Sequence, residues 1–129
     1  MVIDTSAFLA ILFREDEAER FLHAIDEATT RIISVASILE AEIVTRRRFA
    51  EGQRINIDGL ITELQVDIWP IDNVQLRWAR FAAEIYGRGR HAAGLNFGDC
   101  FSYALAKSTG EPLLFKGSDF SLTDIASAV

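Results

Sequence analysis

The sequence contains few of the residues that build disulfides and zinc sites. Cys100 is its only cysteine, and His23 and His91 are its only histidines. An internal disulfide is therefore excluded, and a zinc site built on cysteine thiolates is not expected.

Long apolar stretches are also missing. The longest run without a charged residue is the nine residues 5–13, whereas a membrane-spanning helix needs about 20 apolar residues. The amino terminus, Met1-Val2-Ile3-Asp4, has neither the basic start nor the apolar core of a secretory signal. We therefore expect a cytoplasmic protein that does not cross a membrane.

Positive charge is scarce over most of the chain. There are 13 Lys and Arg against 19 Asp and Glu, which gives a net charge of −6. This balance argues against binding of nucleic acid through the overall field of the protein. Bases outnumber acids only in residues 46–90, by eight to six, so contact with phosphate groups is expected to be local.

The order of apolar segments predicts the fold class. The 129 residues, of which 50% are hydrophobic, suit one domain that spans residues 1–129. Short apolar runs alternate with segments of helical period, which predicts an α/β domain with a parallel β-sheet flanked by helices. Strands are predicted at residues 1–4, 31–34, 67–71 and 113–115, and helices at 5–13, 16–28, 35–48, 57–65, 73–86 and 97–108.

Three finer predictions concern the helices. Gly52 is expected to end the third helix. The first helix carries more apolar side chains than one buried side accommodates, which indicates either a protein interface or a fully buried helix. The fifth helix is expected to pack inward through an apolar stripe at Val74, Trp78, Phe81, Ala82 and Ile85.

Four acidic residues lie where the sheet edge or the core is predicted. Asp4 and Asp119 follow the first and last strands, at the end of a parallel sheet where ligands bind. Glu40 has the apolar helix neighbours Ala36, Ile43 and Val44, which predicts an inward-facing carboxylate. Asp99 lies in the first turn of a helix capped by Asn96.

Three of these acids also have a purely structural explanation. Asp4 suits an N-cap, Asp99 stabilises a helix start, and Asp119 suits a turn. Glu42, by contrast, is four residues before Arg46 and is expected to form a surface ion pair.

Together the four acids predict more than each does alone. One parallel sheet can bring Asp4, Glu40, Asp99 and Asp119 to a single edge. Carboxylates so close together need a compensating cation, and an oxygen-only ligand set suits Mg²⁺, with Mn²⁺ as the other choice. Such a site favours phosphate chemistry.

The order of these segments resembles the PIN-domain ribonucleases, and within them the VapC-type toxins of bacterial toxin–antitoxin pairs. The segments that carry the resemblance run along most of the chain: Val2-Ile3-Asp4-Thr5-Ser6-Ala7, Ile33-Ser34 with Glu40 six residues after the serine, Phe97-Gly98-Asp99-Cys100 leading into Tyr103-Ala104-Leu105-Ala106, and Pro112-Leu113-Leu114-Phe115-Lys116-Gly117-Ser118-Asp119-Phe120.

The resemblance implies roles for particular residues. Asp4, Glu40 and Asp99 match the three acidic metal-site positions of the family, and Asp119 matches a less constant fourth. Relatives with this ending often have two adjacent acids where this chain has Ser118-Asp119, which leaves direct contact of Asp119 with a metal open. Ser6, with Thr5 before it, matches a hydroxyl position beside the site.

The resemblance also implies an activity and partners. The expected reaction is Mg²⁺-dependent hydrolysis of RNA phosphodiesters by an endoribonuclease. VapC-type toxins are homodimers held inactive by a cognate VapB-type antitoxin, whose tail covers the active site. The expected partners are therefore RNA, a VapB-type antitoxin and a second copy of the chain.

RNA that reaches an acidic site needs positive charge along its approach. The candidates are the triplet Arg46-Arg47-Arg48, at the end of the third helix, and the pair Arg88 and Arg90, in a glycine-rich loop before Asp99. The alternative for Arg46 is that it stabilises the end of its helix on a solvated face.

Two other functions remain open from the sequence. A phosphoacceptor receiver domain is also a small α/β domain, and Lys116 suits its late lysine, but the adjacent acids that it needs after the first strand are missing. A non-catalytic binding module with a PIN-like fold is the second alternative.

Overall fold

The computed structural model describes residues 1–49 and 55–129 and confirms an α/β fold. Four parallel strands form one sheet in the order β3-β2-β1-β4. The strands are β1 Val2–Ile3, β2 Ile32–Ser34, β3 Asp67–Trp69 and β4 Leu113–Leu114; the helices are α1 Thr5–Leu12, α2 Ala18–Glu27, α3 Val35–Arg48, α4 Ile57–Glu63, α5 Asn73–Ile85 and α6 Phe97–Thr109, and a 3₁₀ turn spans Phe120–Leu122. No helix in these two described stretches is both long and apolar enough to span a bilayer.

The sheet separates two hydrophobic cores. Side chains alternate between the faces of a strand, so Ile3, Ile33 and Leu114 pack against α1–α4, whereas the preceding residues Val2, Ile32 and Leu113 pack against α5 and α6. Helices therefore cover both faces, as the continuous apolar strands predict.

The parallel arrangement brings the carboxyl ends of the strands to one edge. Asp4 follows β1 directly, and its N–H donates to the carbonyl of Leu114 in β4 at 2.9 Å. Ser34 ends β2 and caps α3, since its side chain accepts a hydrogen bond from the N–H of Ala36. The candidate site residues extend from this edge.

The predicted packing of α5 is wrong. Gln75, Ala79 and Ala82 are its buried residues, whereas Val74, Phe81 and Ile85 of the predicted stripe are 43%, 39% and 43% exposed. Small side chains allow α5 to approach α6 closely, and the larger apolar residues lie beside the contact. Only Ala82 of the stripe is buried, with Trp78 partly buried against the same core.

The element boundaries differ from the predicted ones by at most two residues. The strand predicted at 67–71 ends at Trp69, because Pro70 has no N–H for the sheet. In α1, Ala7, Phe8, Ala10 and Ile11 are buried in the core, whereas Leu9 and Leu12 are only partly buried. An interface on the remaining face of this helix stays a prediction. The prediction that Gly52 ends α3 lies outside the described residues.

Candidate functional site

Asp4 is a buried carboxylate at the junction of β1 and α1. It is 3% exposed and is the N-cap of α1. Its Oδ2 accepts hydrogen bonds from the N–H of Ser6 at 2.8 Å and from the Ser6 hydroxyl at 2.5 Å. The capping role foreseen for Asp4 is confirmed, and Oδ1 takes no part in it.

Ser6 connects Asp4 to the segment after β4. The N–H of Lys116 donates to the Ser6 hydroxyl oxygen at 2.9 Å, and this hydroxyl donates to Asp4. The orientation of the Asp4 carboxylate therefore depends on the loop that leads to Asp119.

Glu40 is a half-buried residue of α3, and its carboxylate points inward as predicted. Its Oε2 accepts a 2.7 Å hydrogen bond from the hydroxyl of Thr5, the first residue of α1. The neighbouring Ile43 is 41% exposed, so the apolar residues around Glu40 in the sequence are not all core residues. Glu40 points towards the start of α1, where the Thr5 hydroxyl donates to it.

Asp99 is the third residue of α6 and completes a capping box with Asn96. The N–H of Asn96 donates to Asp99 Oδ2 at 2.7 Å, and the N–H of Asp99 donates to Asn96 Oδ1 at 3.0 Å. The local stabilising role of Asp99 is thus present. It does not account for the electrostatics of this carboxyl.

The pKa of Asp99 is raised to about 6 from an ordinary value of 3.8. Burial of the carboxyl is the largest cause, and the Asn96 N–H opposes it. The negative charges of Asp4, Glu40 and Asp119 raise the pKa further. Three of the predicted acids therefore act on the fourth, so Asp4, Glu40 and Asp119 each lie within electrostatic range of Asp99.

Asp119 is the most exposed of the four acids. It precedes the 3₁₀ turn Phe120–Leu122 and makes no side-chain capping hydrogen bond there. Its negative charge nonetheless helps to raise the pKa of Asp99. The formation of the turn alone does not explain this effect.

The chemistry of these side chains fits a divalent cation that prefers oxygen. Four carboxylates with two adjacent hydroxyls match the ligands of Mg²⁺ and Mn²⁺. Within residues 1–49 and 55–129, no three or more His, Cys, Asp or Glu side chains already form a group that could hold an ion. The acids thus share an electrostatic environment rather than a common point, as expected of like charges that repel.

The candidate RNA-binding arginines lie in two places. Arg46, in the last turn of α3, is 79% exposed at its side chain and pairs with Glu42 at 3.2 Å, which confirms the predicted surface ion pair. Arg88 and Arg90 are exposed in the loop between α5 and α6, which a bridge between Gly87 and Leu95 closes.

Lys116 belongs to an ion network that the sequence did not reveal. Its ammonium pairs with Glu15 at 2.8 Å and with Glu17 at 2.9 Å, and Glu15 also pairs with Arg48 at 3.5 Å. The lysine that a receiver domain needs near its acids is thus neutralised by other carboxylates. In the sequence, the acidic run Glu15-Asp16-Glu17 was the only feature that indicated this ion network.

Comparison with known proteins extends these observations. The PIN domain family model matches residues 1–126, which include all four acids. The chain is 50% identical over 127 residues to VapC ribonuclease Mb0640 of Mycobacterium bovis, with 98% of this chain and 97% of the relative covered. It is 50% identical over 127 residues to Ribonuclease VapC of Mycolicibacterium smegmatis, with 98% of each covered. It is 45% identical over 130 residues to Ribonuclease VapC28 of Mycobacterium tuberculosis, with 100% of this chain and 98% of the relative covered.

Proposed function

Because this chain belongs to the PIN domain family, and within it to the VapC ribonucleases that it matches along nearly its whole length, we propose that it is a metal-dependent endoribonuclease and the toxin of a toxin–antitoxin pair. The observation that supports the metal dependence is that Asp99, whose pKa is raised chiefly by burial, also lies within range of the negative charges of three other carboxylates. A divalent cation bound among these carboxylates would offset their mutual repulsion.

Asp4, Glu40 and Asp99 would hold Mg²⁺ or Mn²⁺, and Asp119 would add negative charge at the exposed side. When bound, the ion would activate water and stabilise the charge that develops on the phosphate oxygens. The part that this chain itself plays is to orient the carboxylates that would hold the ion.

Two hydroxyls set that orientation. Thr5 donates to Glu40 Oε2, and Ser6 donates to Asp4 Oδ2. Each hydroxyl donates to one carboxylate oxygen, so the other oxygen of that carboxylate would be the one available to hold the cation. Such outer hydrogen bonds fix ligands before the ion arrives.

The proposed reaction has a distinctive product. Attack by water rather than by the neighbouring 2′-OH leaves 5′-phosphate and 3′-hydroxyl ends on the RNA. We expect the purified chain to give these ends with Mg²⁺ and to lose cleavage in excess EDTA or as Asp4→Asn. Ends bearing 2′,3′-cyclic phosphate, or full cleavage in EDTA, would contradict the proposal.

Family membership removes the receiver-domain alternative. A non-catalytic PIN module remains the competing proposal, and a metal titration followed by thermal unfolding separates the two. A catalytic site predicts that Mg²⁺ or Mn²⁺ raises the unfolding temperature of the wild type, with a much smaller rise in Asp4→Asn.

The proposed partners are RNA, a VapB-type antitoxin and a second copy of the chain. On α3, Val35, Leu39 and Ile43 are 45%, 59% and 41% exposed, and their spacing of four residues places them on one helix face. Adjacent exposed apolar side chains mark interaction surfaces. We assign this face to the homodimer and the acidic edge to RNA and the antitoxin tail.

A further inference from the structure

Gly98 lies directly against the carboxylate of Glu40. A Cβ atom added to Gly98 would lie 2.4 Å from Glu40 Oε2, 2.6 Å from Oε1 and 2.7 Å from Cδ. These distances are far below van der Waals contact. The carboxylate of Glu40 therefore occupies the space that any side chain at position 98 would need.

The backbone gives no other reason for glycine at this position. Gly98 is the second residue of α6, and it is absent from the positive-φ glycines of the described residues, which are Gly89, Gly94, Gly110 and Gly117. Inside a helix glycine is less favourable than alanine. Space, rather than conformation, is what the glycine provides.

The Glu40 carboxylate is confined on a second side as well. Thr5 of α1 donates to its Oε2 at 2.7 Å. The carboxylate thus lies between the first turns of α1 and α6, and Asp99 is the next residue after Gly98. The amino-terminal end of a helix also favours negative charge.

We propose that Gly98 is a positioning residue: its missing side chain lets Glu40 lie beside Asp99 and so sets the geometry of the cation site. The effect on cation binding depends on the proposed function, whereas the placement of Glu40 does not.

The proposal predicts that Gly98→Ala preserves the stability of the fold and weakens metal binding. The clashing atoms are the mobile end of a glutamate side chain, so the variant is expected to fold, with an unfolding temperature equal to or a few degrees above that of the wild type. Its affinity for Mn²⁺, measured by calorimetry, is expected to fall about 10- to 100-fold, as when other supports of a metal ligand are removed.

A double-mutant cycle tests the placement without metal. In Glu40→Ala the space beside position 98 is empty, so Gly98→Ala is expected to raise the metal-free unfolding temperature more in this background than in the wild type. Glu42→Ala is the matched control, because Glu42 lies on the same helix and pairs with Arg46. In that background the effect of Gly98→Ala is expected to equal its effect in the wild type.

The outcomes separate this inference from the proposed function. Equal effects of Gly98→Ala on the unfolding temperature with and without Glu40 would overturn the placement. A large loss of stability when Gly98→Ala is added to Glu40→Ala would overturn it as well. Unchanged Mn²⁺ affinity in Gly98→Ala would overturn the role in cation binding. If the wild type bound no Mn²⁺ but the metal-free coupling appeared, the proposed function would fail and the placement of Glu40 would stand.

Discussion

The hydroxyl of Thr5 donates a 2.7 Å hydrogen bond to Oε2 of Glu40, 35 positions along the chain. The bond joins the first residue of α1 to Glu40 of α3 at the proposed cation site. Thr5→Val keeps the shape of the side chain and removes the donor. We expect this variant to bind Mn²⁺ about tenfold more weakly in calorimetry.

Thr5→Ser is the matched control for this prediction, because serine keeps the hydroxyl. Its Mn²⁺ affinity is expected to stay close to that of the wild type. Equal affinities of Thr5→Val and Thr5→Ser would mean that the hydrogen bond does not prepare Glu40 for the ion.

The raised pKa of Asp99 predicts how stability depends on pH. The folded protein holds this proton up to about pH 6, whereas the ordinary pKa is 3.8. The contribution of Asp99 to stability is therefore fully present below about pH 4 and is lost as the pH rises through 6. In the metal-free protein at pH 8, Asp99→Asn is expected to unfold at a higher temperature, with a gain of about 1 kcal/mol after allowance for solvent screening.

Two comparisons sharpen this test. Asp58→Asn removes an exposed acid from the first turn of α4, where no such gain is expected. Saturating Mg²⁺ should reverse the order of wild type and Asp99→Asn, because only the wild type keeps the ligand. A metal-free Asp99→Asn that is less stable than the wild type at pH 8 would contradict a net cost of ionising Asp99 in the folded protein.

The exposed α3 face predicts the dimer interface. Leu39→Asn is expected to raise the dimer dissociation constant at least tenfold in sedimentation equilibrium, since burial of a leucine contributes about 1.5–3 kcal/mol. Leu76→Asn is the control, because Leu76 is 39% exposed on α5. Dissociation constants that change equally in both variants would place the interface elsewhere.

The candidate RNA-binding arginines predict how RNA binding depends on salt concentration. RNA binding measured in EDTA, where the RNA stays intact, is expected to weaken with salt for the wild type. Replacing Arg88 and Arg90 together with alanine should lower the slope of log K against log salt by about 1.4. Arg46→Ala should have a smaller effect because Glu42 already neutralises this arginine. An unchanged slope in the double variant would exclude contact of this loop with phosphate.

The sequence predicted the sheet and the acids better than the packing of the helices. The strands were evident because they are short apolar runs, such as Val2-Ile3 and Leu113-Leu114. Such runs are typical of strands that helices cover on both faces. Asp4 stood out because it follows a buried strand, and Asp99 because it lies in the first turn of a helix whose next residues are mostly apolar. The role of these acids as metal ligands stays a prediction.

The remaining features depend on contacts between distant residues. The inward face of α5 is set by how closely Ala79 and Ala82 approach α6, which helical periodicity does not encode. The contact between Gly98 and Glu40 joins two helices 58 residues apart in sequence. The one sequence feature that points to this contact is a glycine directly before an acid in the first turn of a helix.

The most direct test of the account is to locate the ion. Crystals of the wild type grown with Mn²⁺ above pH 7, where Asp99 is ionised, are expected to show an anomalous scattering peak in contact with the carboxylates of Asp4, Glu40 and Asp99. Crystals of Asp4→Asn should lack the peak. No peak in the wild type, or a peak held by other residues, would contradict the claim that these acids share a divalent cation.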